Sequence, residues 1–187
     1  MPGQNYCRAS GCLFSYLNTF THMQYTYPYD SPLGKIILAS NGTCLTGLWF
    51  EGQKYFARTL EAEHEERDFP IFRQTASWLN TYFSGKKPDF MPDLELHDTP
   101  FRLAVWHILQ QIPYGEIITY KEIAQEIARQ RNCKSMSAQA IGGAVGHNPI
   151  SILIPCHRVV GSNGSLTGYA GGLSRKISLL KLEGKCL

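Results

Sequence analysis

The spacing of hydrophobic and polar positions changes character about half-way along the chain. Just after Met23 the run QYTYPYDSPLGKIILASNGTCLTGLWFEG is rich in β-branched and aromatic residues. It reads as three strands, Tyr25–Tyr29, Lys35–Ser40 and Cys44–Phe50. Ser31-Pro32-Leu33-Gly34 and Asn41-Gly42 supply turn chemistry between them. Phe72, Ala76, Leu79 and Phe83 then recur at helical spacing, which predicts a helix over about 71–84. Gly85 to Asp98 contains two prolines and mixed charges, and the linker is placed there. The first part is thus a small α+β module over residues 23–98 with no catalytic constellation of its own.

The second part, 99–187, is mostly helical. Thr99-Pro100 is an N-cap followed by proline at the first helical position. Phe101, Val105, Ile108, Leu109 and Ile112 make one apolar stripe, and Pro113-Tyr114-Gly115 ends it. Thr119 and Glu122 form a capping box in which each side chain satisfies an orphan backbone donor. The helix it starts is expected to bury Tyr120, Ile123, Ala124 and Ile127. After a polar loop over Arg129–Ser135 comes SAQAIGGAVGHNP, a short helix capped by Ser137 and dominated by Ala and Gly. Helix, loop and small-residue helix in a basic region resemble a helix-turn-helix. Two packed helices crossing closely explain the glycines equally well.

Ile150–Ile154 is a buried-strand candidate that Pro155 ends. Gly161-Ser162-Asn163-Gly164 is a hairpin-like turn, and LTGYAGG adds three more glycines. A last amphipathic helix uses Leu173, Ile177 and Leu180 and stops at Glu183-Gly184, with the glycine as C-cap. Glu183 is oddly placed, because a carboxylate is disfavoured at the negative end of a helix dipole. Either it has a functional job that explains the cost or it is merely exposed.

Bulk composition is that of an ordinary globular protein, with 43% hydrophobic and 18% charged residues over 187 positions. No stretch approaches the ~18 consecutive apolar residues of a membrane span. Charge is uneven: residues 1–100 are net −3 and residues 101–187 are net +6. A basic second part suits a polyanion partner, or is simply a basic solvated surface. Residues 1–22 have no clear periodicity and read as a leader, poorly ordered or lying ahead of the true start. The apolar run at Leu13–Leu17 is too short for a signal peptide and lacks its flanks. Six scattered cysteines with no C-x-x-C pair suggest reduced thiols in the cytoplasm. Cys7, Cys12 and His22 match no strong zinc spacing and rank below free thiols.

The chemistry concentrates in PCHR, residues 155–158. A free cysteine is usually a small buried hydrophobe. Here His157 and Arg158 follow it, and both favour a thiolate. On an extended chain Cys156 and His157 point opposite ways, so a bridging water or another side chain must complete a relay unless Pro155 bends the chain. A cysteine hydrolase is the weaker reading, because nucleophile and base adjacent in sequence are poorly placed for it.

PCHRVVGSNGSLTGYAGG, with HNP upstream and LLKLEG downstream, resembles the methylated-DNA–protein-cysteine methyltransferases, the O6-alkylguanine DNA repair proteins. The resemblance covers about Phe101 to Gly184 closely. It implies an RNase H-like N-terminal domain and a helical C-terminal domain with a winged-helix-like helix-turn-helix. Cys156 would accept the alkyl group irreversibly, once per protein molecule. His157 would take the thiol proton through a water, and Glu183 would orient His157. Asn148 would hold the active-site turn, and Tyr120 would help protonate the leaving guanine. The Cys156 and Val159 carbonyls would read the guanine amino group, and Tyr169, Ala170 and Gly171 would line its pocket. Ala138, Gln139, Gly142 and Ser162 would contact DNA, the small-residue helix entering the minor groove and flipping the base. The partner would be double-stranded DNA carrying O6-alkylguanine, with O4-alkylthymine left open. No cofactor and no metal are implied, and the protein would be a monomer able to line up along DNA. A lesion sensor that binds without reacting is the alternative, although such relatives replace the cysteine that is present here.

Two departures stand out. Most of the family has an arginine where Gln139 lies, and some relatives have a serine where Ala170 lies, so backbone N–H groups would have to meet O6. Gln139→Arg is expected to tighten duplex binding in a fluorescence-anisotropy titration. Unchanged binding and repair rates would count against a finger role at this position.

Overall fold

A computed structural model describes residues 23–185. The first strands form as the pattern predicts: β1 (Gln24–Ser31), β2 (Gly34–Ser40) and β3 (Leu45–Phe50) make an antiparallel meander. A short strand, β4 (His64–Glu66), adds in parallel to the far side of β1, giving the order β3-β2-β1-β4. It is exposed and polar throughout, so no apolar alternation marks it in the sequence. Helix α1 (Pro70–Phe83) covers the sheet with Ile71, Phe72, Trp78, Leu79 and Tyr82. Tyr27 stacks on Phe72 with ring centroids 5.6 Å apart.

In the second part, α2 (Pro100–Gln110), α3 (Tyr120–Gln130) and α4 (Ala138–Gly146) pack together. The Trp106 indole N–H donates to the Ala144 carbonyl at 2.8 Å, which ties α2 to α4. The Thr119–Glu122 capping box is formed, a feature worth about 1 kcal/mol. Ser137 caps α4 by accepting from Ala140 N–H. Two short parallel strands, β5 (Ile118–Thr119) and β6 (Val159–Val160), tie the start of α3 to the end of the PCHR segment. At two residues each, they are too short to leave a pattern. Helix α5 (Leu173–Leu182) closes the chain.

Three expectations are corrected. Ile150–Ile154 is not a strand but an irregular turn, fully buried, with Ile152 at φ 71°. A continuous apolar run shows burial without showing the backbone's path. Here the Asn148 amide, rather than a β-ladder, satisfies the backbone groups of Ile150 and Ile154. Tyr120 is only partly buried, because it is the first residue of its helix and its hydroxyl reaches out to the Thr167 and Gly168 carbonyls. Leu173 is 48% exposed, and Lys176 takes the buried place on α5. In addition, the Gly161–Gly164 turn is closed by its own backbone but has no returning strand beside it.

The two parts meet along the free edge of β3. Leu45 N–H donates to the Asp93 carbonyl at 2.8 Å and Glu95 N–H to the Leu45 carbonyl at 2.9 Å, so the linker lies against the sheet. Further along the same edge, Leu48 N–H donates to Pro149 O and Ser151 N–H to Leu48 O. The sheet thereby carries the segment that leads to Cys156. Gly47 lies between these two docking points, and a Cβ there would overlap the buried Trp49 indole. Gly47→Ala is therefore expected to cost about 1–3 kcal/mol, read as a lower urea midpoint with the native circular-dichroism spectrum retained.

Candidate active site

Glu183, the C-cap of α5, gathers groups from three separate stretches. His157 Nε2 lies 2.8 Å from Oε1. Arg158 grips both oxygens, Nε to Oε2 at 2.8 Å and Nη2 to Oε1 at 2.9 Å. The Tyr82 hydroxyl of α1 donates to Oε1 at 2.6 Å, and Gly115 N–H, just after α2, donates to Oε2 at 3.2 Å. All four side chains are buried. The paired arginine explains how a carboxylate tolerates the end of a helix: a bidentate, charge-assisted pair offsets both the dipole and the loss of water.

The same contacts set the charges. Burial alone would raise the Glu183 pKa, but the hydrogen bonds from His157 and Arg158 outweigh it and hold it at about 2. Burial lowers the His157 pKa further than the Glu183 carboxylate raises it, so the imidazole is neutral at neutral pH. With Glu183 ionised, Nε2 is the ring's donor and Nδ1 its acceptor. Nδ1 is buried and has no protein partner.

Cys156, His157 and Arg158 form a single 3-10 turn rather than an extended stretch. Pro155 and the clamp below it cause the bend. The Asn148 amide donates to Ile150 O at 3.2 Å, Ile154 O at 2.8 Å and the Cys156 sulfur at 3.1 Å. Burial pushes the Cys156 thiol up, while the Asn148 hydrogen bond and the Lys176 ammonium pull it back down. Lys176 is itself fully buried and drawn down to about 8 by that burial. Its ammonium donates to Val159 O at 2.5 Å and Thr167 O at 2.9 Å. The Cys156 carbonyl accepts from Val159 N–H. Each of these two carbonyls keeps a second lone pair for a ligand donor.

Beside this network a cavity of about 370 Å³ opens between α4 and the 167–171 loop. Tyr120, Gln139, Gly142, Tyr169 and Ala170 line it. Burial raises Tyr120 to about 12 and Tyr169 well above its ordinary value, and in both cases Cys156 adds to the rise, so both hydroxyls are protonated. Gly171 is buried against the Tyr169 ring, where a Cβ would collide. Ala138 and Gln139 are exposed in the first turn of α4. Ser162 is exposed in its turn and lines no part of the cavity.

Sequence reading missed two members of the site. Lys176 had a signal, a lysine inside the apolar stripe of α5. Tyr82 had none, since a tyrosine on the buried face of α1 looks like core. Among the described residues no cluster of three or more His, Cys, Asp or Glu side chains could hold a metal. Cys7, Cys12, His22, Leu13–Leu17 and Cys186 lie outside the described residues. Chemically, a thiol beside a neutral imidazole that is oriented by a carboxylate is nucleophile chemistry.

Comparison with known proteins agrees in both halves. The 6-O-methylguanine DNA methyltransferase ribonuclease-like domain matches residues 23–96, and the DNA-binding domain of the same name matches residues 100–185. The chain is 44% identical over 155 residues to the methylated-DNA–protein-cysteine methyltransferase of Mycobacterium tuberculosis, covering 82% of this chain and 88% of that one. It is 39% identical over 164 residues to the Haemophilus influenzae protein of the same name, covering 87% of each. The crystal structure of Mycobacterium tuberculosis OGT in complex with DNA superposes with a TM-score of 0.71 at 41% identity, covering 86% of this chain and 92% of that one.

Glu183→Gln keeps the shape and removes the charge, leaving Arg158 buried without a counter-ion. It is expected to destabilise the fold by about 3–5 kcal/mol in urea unfolding. The parent's acid branch follows from the depressed pKa. Its ordinary value is 4.5 and its folded value about 2. As pH falls through that window the unfolded state takes up the proton first, so stability contributed by Glu183 is lost. That loss should be missing from the variant's stability-versus-pH curve.

Proposed function

The chain belongs to the 6-O-methylguanine DNA methyltransferase family, and we propose that Cys156 is the residue through which it acts. The activity is DNA repair by transfer of an alkyl group from O6 of guanine in DNA to a cysteine of the protein itself. One observation carries the assignment of residues. Cys156 is buried with its sulfur on the Asn148 amide, one residue from an imidazole fixed by Glu183, and its charge is felt by Tyr120 and Tyr169, which line the cavity beside α4.

The steps follow from the donor and acceptor inventory. A base inside a duplex keeps O6 out of reach, so the alkylated guanine is extruded into the cavity between α4 and the 167–171 loop. The acceptor nitrogen of His157, Nδ1, takes the Cys156 proton through a water, and the imidazolium formed is stabilised by Glu183. Lys176 and Asn148 favour the thiolate. Its sulfur attacks the alkyl carbon, the S–C bond forms as the C–O6 bond breaks, and the electron pair leaves with the guanine. Tyr120, still protonated, supplies the proton the leaving base needs. Second lone pairs on the Cys156 and Val159 carbonyls take the guanine amino group. Ala170 offers no hydroxyl, so loop N–H groups face O6. The product is a thioether with no route back to the thiol, so each molecule acts once.

Phosphate attraction comes from the basic second part, net +6 over residues 101–187. Gln139 fills the place of the extruded base by size and hydrogen bonding, without charge. No helix among the described residues is long and apolar enough to cross a membrane. Cys44, Cys133 and Cys156 are free thiols, which suits action in the cytoplasm.

The test is intact-protein mass spectrometry after mixing with a duplex carrying one O6-methylguanine, followed by peptide mapping. One methyl group added on the Cys156 peptide, guanine restored in the DNA and no gain for Cys156→Ala are expected. Binding to the lesion without any mass change would instead make the chain a non-reacting sensor.

A further inference from the structure

One wall of the cavity beside Tyr169 comes from the other domain. Between β3 and β4 the chain passes through Lys54 and Tyr55, and both line the cavity with Tyr120, Gln139, Tyr169 and Ala170. Tyr55 sits at φ 61°, in the left-handed region that side chains other than Asn and Asp rarely adopt. A surface turn ordinarily uses glycine in such a place. Here three contacts hold a large aromatic instead. Its ring stacks on His147 with centroids 3.9 Å apart and planes at 26°. The Lys54 ammonium lies 4.8 Å from the ring centre. The Lys54 backbone N–H donates to the Ala170 carbonyl at 2.9 Å.

None of these contacts serves the core of the first domain. His147 is the C-cap of α4, and its Nδ1 is 2.6 Å from the Gly143 carbonyl. The Lys54–Tyr55 turn therefore bridges the end of α4 and the loop that carries Tyr169. The cavity they border is also lined by Tyr120 and Tyr169, the two tyrosines close enough to Cys156 to feel its charge. Strain kept at an aromatic with no structural use to its own domain marks a functional position.

We propose that Tyr55 is the end wall of the slot that receives the extruded base, and that it limits the size of the O6-substituent accepted. This rests on the acceptor role of Cys156 argued above. A methyl group fits with the Tyr55–His147 stack closed. A benzyl group has to displace the ring from its stack, at the cost of the contacts that hold it.

The test compares rate constants for alkyl transfer from duplexes carrying O6-methylguanine and O6-benzylguanine. Tyr55→Gly suits the backbone conformation, so the variant keeps its fold while losing the wall. It is expected to raise the benzyl-to-methyl rate ratio by about tenfold or more. Tyr55→Phe keeps the ring and should keep the parent ratio. If the parent transfers methyl and the glycine variant leaves the ratio where it was, the wall is overturned and the acceptor reading stands. A glycine variant that slows both substrates equally would make Tyr55 a support for the loop, and would also overturn the size limit. A parent chain that transfers no methyl overturns both readings.

Discussion

The buried carboxylate of Glu183 is the interaction on which this structure turns. One side chain receives α1 through Tyr82, the end of α2 through Gly115, and the reactive turn through His157 and Arg158. An ion taken out of water costs several kcal/mol unless its lone pairs are filled. Both of its oxygens are filled here, and the arginine grips the two together. The arrangement is demanding, because weakening any partner leaves charge stranded. It also explains why the two domains behave as one support. Tyr82 belongs to the first domain, yet its hydroxyl ends on the residue that orients His157.

A second constraint acts through the backbone. The free edge of β3 presents unpaired groups, which natural sheets cover. Leu45 gives its edge to the linker and Leu48 gives its edge to Pro149 and Ser151. Each such hydrogen bond adds only about 0.5–1.5 kcal/mol net. Their placement matters more than their strength, since the Pro149–Ser151 segment runs directly into the Asn148 clamp and on to Cys156. A sheet with no reactive groups of its own thus positions the nucleophile. The linker, placed at Gly85–Asp98 by its prolines and mixed charges, is part of the same cover.

What could be read beforehand divides along physical lines. Strands β1 to β3, α1 and the capped helices of the second part were legible because period, caps and turn residues agree locally. Cys156, His157 and Glu183 were legible as an anomaly: a polar break after an apolar run, and a carboxylate at the wrong end of a helix. The path of Ile150–Ile154 was not legible, because every residue in it is buried and burial alone fixes no backbone. Nor were Tyr82 and Tyr55, whose roles depend on contacts with residues far away in the chain. Lys176 was half-visible, a charge set among the apolar positions Leu173, Ile177 and Leu180 of its helix.

The departure at Gln139 gains meaning from its surroundings. No residue of α4, from Ala138 to Gly146, carries a charge. A helix so small and neutral can approach a groove closely but offers phosphates no side-chain charge. The basic residues lie elsewhere, with Lys121 and Arg129 on α3, Arg131 and Lys134 in the loop that follows, and Lys54 of the first domain lining the cavity beside Gln139. On the proposed reading, attraction to the backbone and filling of the stack fall to different residues. Phosphate contacts give affinity that falls with salt, whereas a glutamine in the stack contributes by shape and hydrogen bonding. On that reading, recognition depends less on one arginine and more on how closely the cavity walls fit the base.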